Sequence, residues 1–469
     1  AKNNPEAWQI LADYGYANPT FSASEVCPVL DVEAPKSATS PASQVGVTNP
    51  VTSTVSTAIT TTKPATQAGT STNPTKATPA AAPTVNAGKT PTQTTAAGDQ
   101  TGLASCPKDL SGYTTTITTV LKAAGNDAAK VEQWMRGCGA LDEKRGAFKM
   151  IDLNGDGLKD VVFLPTIVSD RGFGPNGAQG AVLIYHAEKD GSYKLVDQPE
   201  IYGQPALLST ADLNGDGKMD LAWTVEGCST FCVLEAQIVS WDGKSYTTTI
   251  QPGAVIAVGS AKFEPVASGD PGQGQQLVLT GGMSGTPEGG LAVPHTEVWE
   301  SVKGGPFQRI HWTYDRKVEG NDCLGLRLVE ADVALQASSV LGYKPAIELY
   351  TQSLDPKLKA CSIFGMAADQ ELVLLQGLAS FRLLQAQALS GDATAAQATL
   401  DTLTKGQPDS QYTAAAKQWL ASYTADKDAK KACTAVQPIF DKNEDLWKIT
   451  DHFGYNHPAL AAEQVCYKR

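Results

Sequence analysis

Ile151-Asp152-Leu153-Asn154-Gly155-Asp156-Gly157-Leu158-Lys159-Asp160 is followed by Val161-Val162-Phe163. Sixty residues later, Ala211-Asp212-Leu213-Asn214-Gly215-Asp216-Gly217-Lys218-Met219-Asp220 precedes Leu221-Ala222-Trp223. Asp152, Asn154 and Asp156 set short oxygen-bearing side chains at alternate positions, where a tight loop turns them inward. Gly157 permits the sharp bend, the Leu158 carbonyl follows, and Asp160 closes the shell. Asp212, Asn214, Asp216, the Lys218 carbonyl and Asp220 repeat the scheme. A hard cation such as calcium takes about six to eight oxygens at about 2.3–2.6 Å. Carboxylates crowded this closely repel one another without one. Two calcium sites are therefore expected, each on a turn that leads into a short apolar strand.

An EF-hand loop starts in the same way, but it needs a bidentate Glu at its twelfth position and helices on both flanks. Here that position holds Phe163 or Trp223, and the flanks are strand-like. The pattern D-x-N-x-D-G-x-x-D between strands instead resembles the FG-GAP and VCBS repeats of integrin-type β-propellers. The resemblance implies blade-like sheets, with an ion in each intact loop. A degraded third copy reads Ser268-Gly269-Asp270-Pro271-Gly272-Gln273-Gly274-Gln275-Gln276, ahead of Leu277-Val278-Leu279. Asp270 alone survives from the ligand set, so the turn is expected without the metal. Other β-type runs, at 181–185, 236–241 and 296–299, are bounded by Gly, Asp and Asn. Residues 147–318 are expected to form three or four blade-like sheets. That makes a partial or small propeller, short of the blades a closed ring of this family carries.

Outward from this β region the pattern changes. Residues 319–469 show three- and four-residue apolar spacing at 328–337, 345–353, 370–389, 394–403 and 412–423. Gly391-Asp392 and Pro408-Asp409-Ser410 supply stop and cap signals between them. Paired helices with small residues at their crossings, chiefly 386–403 and 410–423, loosely resemble tetratricopeptide-like repeats. Residues 104–146 read as a helical, disulfide-linked segment, with one or two short helices at 120–135 broken and capped at Gly125-Asn126-Asp127. Residues 34–103 are dominated by Ser, Thr, Pro and Ala and lack aromatics. Such a stretch buries too little apolar surface to offset its ordering entropy. It is read as a linker, either a plain spacer or an O-glycosylated stalk. The fold class is thus α+β and multidomain, with a helical segment at 1–33, the linker, the segment 104–146, the β-repeat domain and the helical domain.

The two ends of the chain resemble each other. Asn4, Trp8, Ile10, Gly15, Tyr16, Pro19, Ala23, Val26 and Cys27 recur at one constant offset as Asn443, Trp447, Ile449, Gly454, Tyr455, Pro458, Ala462, Val465 and Cys466. Residues 1–33 and 440–469 are each expected to form a short helix, a Gly-Tyr turn and a second helix after Pro. Either the copies pack within one chain or they stack head to tail between chains, which generates fibres. Trp8, Tyr16, Cys27, Trp447 and Tyr455 would carry such assembly. The nine cysteines make no metal-ligand cluster with the five histidines, and disulfides in an oxidising compartment are the better reading. Proximity pairs Cys106 with Cys138, Cys228 with Cys232, Cys323 with Cys361 and Cys433 with Cys466, although sequence alone does not fix connectivity. Cys27 is left over, as a free thiol or a two-fold Cys27–Cys27 link.

A formal net charge of -12 repels a phosphate backbone, so nucleic acid is not an expected partner. Apolar runs such as 181–185 and 372–375 fall short of the roughly 20 residues of a membrane span. A start at Ala1 suits a mature chain after signal-peptide removal. No GxSxG, HExxH, P-loop or dinucleotide fingerprint is present. His186, His295, His311, His452 and His457 are dispersed and read as structural surface residues, so no enzyme is expected. The expected function is a secreted, calcium-binding structural protein, extracellular or at the cell surface, that self-assembles head to tail into a fibre or surface layer. The alternative is an adhesin or module that binds carbohydrate or a protein ligand, using Trp299, Trp312 and Tyr314 if these are exposed.

Overall fold

The computed structural model describes residues 102–170, 172–266, 274–283, 293–301, 304–318, 320–361, 366–452 and 460–468. The segment 1–33, the linker up to residue 101, and Trp8, Tyr16, Cys27, Asp270, Gly454 and Tyr455 lie outside these residues.

Three antiparallel meanders fill the middle of the chain. The first joins β1 (Ala147–Ile151), β2 (Asp160–Leu164), β5 (Leu183–Ala187) and β6 (Tyr193–Asp197) in that order. A ribbon of β3 (Thr166–Val168) and β4 (Ala178–Gly180) projects from it. The second meander is β7 (Gln204–Ala211), β8 (Asp220–Cys228), β9 (Cys232–Trp241) and β10 (Tyr246–Thr248), with β11 (Val255–Ala257) added beside β9. The third is β12 (Ser260–Pro265), β13 (Gln275–Gly281), β14 (His295–Ser301) and β15 (Phe307–Tyr314). None of the sheets closes on itself.

The sheets stack in chain order because their strands are apolar on both faces. Every residue of β2 is buried. Val161 and Phe163 face one layer while Val162 and Leu164 face the next, as alternation along a strand requires. The outer face of the first sheet meets Ile117, Val120, Val131 and Trp134 of α1 (Leu110–Ala123) and α2 (Ala128–Gly137). Its inner face packs on Leu221, Trp223 and Val239 of the second sheet. Ala222 and Ile238 carry the stack on to Leu277, Leu279 and Trp299 of the third. Trp312 and Tyr314 then join the helical core that follows. Helices therefore cover both ends of the sheet stack.

Asp109 and Asp127 cap α1 and α2 through the Gly112 and Ala129 amides. The helix α1 begins well before the run at 120–135 that the apolar pattern marked. The C-terminal helices are α3 (Leu324–Gln336), α4 (Ser338–Leu341), α5 (Lys344–Ser353), α6 (Ala368–Leu389), α7 (Ala393–Gly406), α8 (Gln411–Asp426), α9 (Ala429–Lys442) and α10 (Asp445–Lys448). Asp392, Ser410 and Asp428 cap α7, α8 and α9. By length and composition α6 could cross a membrane. Here it is a core helix that buries Glu371, Arg382 and Gln385 beside its leucines.

Four disulfides form, joining Cys106 to Cys138, Cys228 to Cys232, Cys323 to Cys361 and Cys433 to Cys466. Three expectations need correction. His186 and His295 are interior rather than surface residues, because each is packed against aromatic rings. Trp299, Trp312 and Tyr314 are core residues and offer no ligand face. In the C-terminal copy, the region after Pro458 contributes a single 3-10 turn, Ala462–Gln464, among the described residues instead of a second helix.

Candidate metal centre

The β1–β2 and β7–β8 turns share one geometry. Gly155 and Gly157 have φ of 79° and 86°, and Gly215 and Gly217 have φ of 76° and 84°. Nothing crowds a Cβ built at Gly155, Gly157 or Gly217, so the left-handed backbone itself selects glycine there. In the first loop, Asp152 accepts the Gly155 amide at 2.8 Å through Oδ1 and the Gly157 amide at 2.9 Å through Oδ2. Asn154 Oδ1 accepts from Asp156 N at 2.9 Å, and Asp156 Oδ1 from Leu158 N at 2.8 Å. The second loop repeats this, with Asp212 on Gly215 and Gly217, Asn214 on Asp216, and Asp216 on Lys218. These Asx bonds curl three side chains into each loop without using all their lone pairs.

Asp160 and Asp220 open β2 and β8 and are fully buried. Asp160 accepts the Leu153 amide at 2.9 Å and the Ala187 amide at 2.9 Å. Asp220 accepts the Leu213 amide at 2.8 Å and the Asn214 amide at 3.2 Å, and its other oxygen meets the Ser240 hydroxyl. Burial pushes both carboxyls above the usual carboxylate range, against these hydrogen bonds, and the charges of Asp156 and Asp216 add to the rise. A divalent cation reverses that balance by favouring the ionised form. Carboxylate, amide and main-chain oxygens make a hard donor set of the kind calcium takes. The residues therefore fit the ion, with Asp152, Asn154, Asp156, Leu158 and Asp160 around one and Asp212, Asn214, Asp216, Lys218 and Asp220 around the other.

Each loop is tied to the next sheet. His186 lies 3.3 Å from Asn154 Nδ2 through Nδ1 and 2.9 Å from the Tyr246 hydroxyl through Nε2, with its ring edge-on to Trp241. The second loop receives the Gln275 amide on its Leu213 carbonyl at 2.8 Å. Gly274, at φ 74°, approaches so closely that a Cβ would lie 2.3 Å from that oxygen. These neighbours escaped the sequence reading. A recurring turn, Asp190-Gly191-Ser192-Tyr193 and Asp242-Gly243-Lys244-Ser245-Tyr246, was the signal that could have found Tyr246.

In the third copy, Leu277 pairs with Trp299 as Val161 does with Tyr185 and Leu221 with Val239. Gln276 consequently takes the place of Asp160 and Asp220, a neutral amide where the others carry charge. Among the described residues, Glu226, Cys228 and Cys232 also converge, but the two sulfurs are joined to each other and supply no thiolate. Trp447 packs on the helical core, and Trp8, Tyr16, Cys27 and Tyr455 are outside the described residues.

Residues 152–223, which hold both loops and strands β2 to β7 between them, match the family model of an FG-GAP-like repeat. No curated protein matches the chain.

Proposed function

We propose that the chain is a non-catalytic, calcium-binding structural protein of the cell exterior. In this reading the three meanders are blades of a VCBS-like, open propeller segment, extended by tetratricopeptide-like helices. Its copies assemble through the terminal repeats. One observation carries it: two loops of the same backbone and hydrogen-bond pattern, each closed by a buried aspartate that has no Lys or Arg countercharge among the described residues. Calcium would supply that charge. Asp152 and Asp156, or Asp212 and Asp216, would hold it from the solvent side, while Asp160 or Asp220 anchors the loop to its strand. Four disulfides suit an oxidising compartment and support an extracellular site.

Isothermal titration of the chelator-treated protein should detect two calcium ions. Asp156→Ala and Asp216→Ala should each remove one. Absence of binding heat, together with a melting temperature indifferent to chelator, would end the calcium reading. For assembly, light scattering should show large particles from the whole chain and their loss when residues 1–33 are removed. Particles that survive the truncation rule out the terminal repeats as the joint.

A further inference from the structure

We infer that residues 4–27 are a second ligand for the seat that residues 443–452 and 460–466 occupy, and that they take it on another copy of the chain before its Cys433–Cys466 bond closes. This rests on the assembly reading above and names the surface it would use. The seat is built by α6, α8 and α9. Gln385, fully buried in α6, donates to Cys466 Sγ at 3.0 Å and accepts the Tyr467 amide at 3.2 Å. Arg382 donates to the Gln464 carbonyl, and the Tyr412 hydroxyl donates to the Leu446 carbonyl. Two of these four bonds hold main-chain carbonyls, which the N-terminal copy also offers at Ala7 and Glu25, whereas the bond to the Tyr467 amide has no counterpart because that position is Pro28.

The N-terminal copy keeps three of the side chains that fill the seat. Ile449, Val465 and Cys466 are buried and recur as Ile10, Val26 and Cys27, while buried Leu460 becomes Phe21. Exposed Lys448, Asp451 and Glu463 become Gln9, Ala12 and Ser24. Shared ancestry alone would let both sets drift. Identity that falls on buried Ile449, Val465 and Cys466 and on none of these exposed positions is what a docking face requires. Two further buried positions differ: Leu446 becomes Ala7, and Thr450, whose hydroxyl accepts the Leu460 amide at 2.9 Å, becomes Leu11. That lost bond favours the chain's own C-terminal copy.

Each chain thus carries two ligands and one seat. The disulfide decides between them, because closing Cys433–Cys466 locks the local copy in place. While Cys433 is still a thiol, Cys27 of another chain reaches the same sulfur. A small disulfide RSSR then takes two electrons and both thiol protons and leaves as two RSH, as the Cys27–Cys433 bond forms.

The test refolds the reduced wild-type chain in oxidised glutathione with rising amounts of a synthetic peptide of residues 1–33, and maps the disulfides by mass spectrometry. The Cys27–Cys433 link should appear at the expense of Cys433–Cys466. A peptide with Ile10→Asp and Val26→Asp, still carrying Cys27, should capture Cys433 about tenfold less, the effect of losing roughly 1.4 kcal/mol of docking. Equal capture by both peptides, or an undiminished Cys433–Cys466 yield, overturns the inference. Light scattering of the whole chain separates the two readings. Particles lacking a Cys27–Cys433 link remove this seat but keep assembly, whereas peptide capture without particles removes assembly and keeps the seat.

Discussion

Asp156 and Asp160 stand four residues apart in one loop and have different tasks. Asp156 is exposed and its carboxylate accepts the Leu158 amide and the Asn154 side chain. Asp160 is buried, and its two oxygens fasten the loop at Leu153 and the neighbouring strand β5 at Ala187. Replacing Asp156 with Ala should hardly change the melting temperature in chelator but abolish the calcium-dependent increment of that loop. Asp160→Ala leaves two interior amides unpaired and should cost about 2–5 kcal/mol even in chelator. Equal behaviour of the two variants in chelator would contradict this division. The pH dependence follows from the same burial. In the metal-free protein a raised carboxyl favours the folded state below its unfolded pKa near about 3.9, and that contribution is lost as pH rises through the raised folded value. Calcium needs the ionised form. The calcium-dependent rise in melting temperature should therefore be full at neutral pH and fade while pH is still above the ordinary carboxylate range. Calorimetry at stepped pH, with and without calcium, checks this; an increment that holds down to about pH 4 contradicts it.

At the scale of elements, the junction between the second loop and the third sheet is a contact of backbone on backbone. Gly274→Ala would place a methyl against the Leu213 carbonyl at a left-handed φ, so the loop or β13 must shift. Calcium binding at the second loop should weaken while the first keeps its affinity, which titration in an Asp156→Ala background resolves from the reciprocal Asp216→Ala background. Unchanged affinity at the second loop would mean the sheets slide freely there. The legibility of these elements in the sequence follows their burial. Strands β2, β8 and β13 are apolar on both faces and read as continuous runs, and the loops announce themselves by rare residue types at fixed spacing. The first strand of each meander is half exposed, as in Phe148-Lys149-Met150, and carries no such run. Helix α9 hid behind Pro438, a helix breaker by rule, although Ala432, Cys433, Val436 and Phe440 give it a buried stripe. The interior place of His295 depends on Trp312, stacked at 3.9 Å, and on Glu297, which also takes Arg309 and Trp299. No local pattern encodes contacts of that range.

At the scale of the molecule, the sheets form a row in which, among the described residues, each core joins adjacent layers, and the helices at the two ends hide faces that would otherwise be open. Such an array behaves as a sum of layers and interfaces. Trp134 is wholly buried where α2 covers the first sheet. Trp134→Ala should cost about 3–5 kcal/mol through the cavity it leaves. The loss should also be local. Hydrogen exchange should speed up at the amides of β2 and β5, less at β8 and β9, and leave β13 to β15 near their wild-type protection, because two sheet–sheet interfaces separate them from the cavity. A uniform increase along all the strands would show one cooperative body instead. In that case a calcium ion at either loop would stabilise every layer alike, whereas a graded response confines each ion's effect to the two sheets its loop joins.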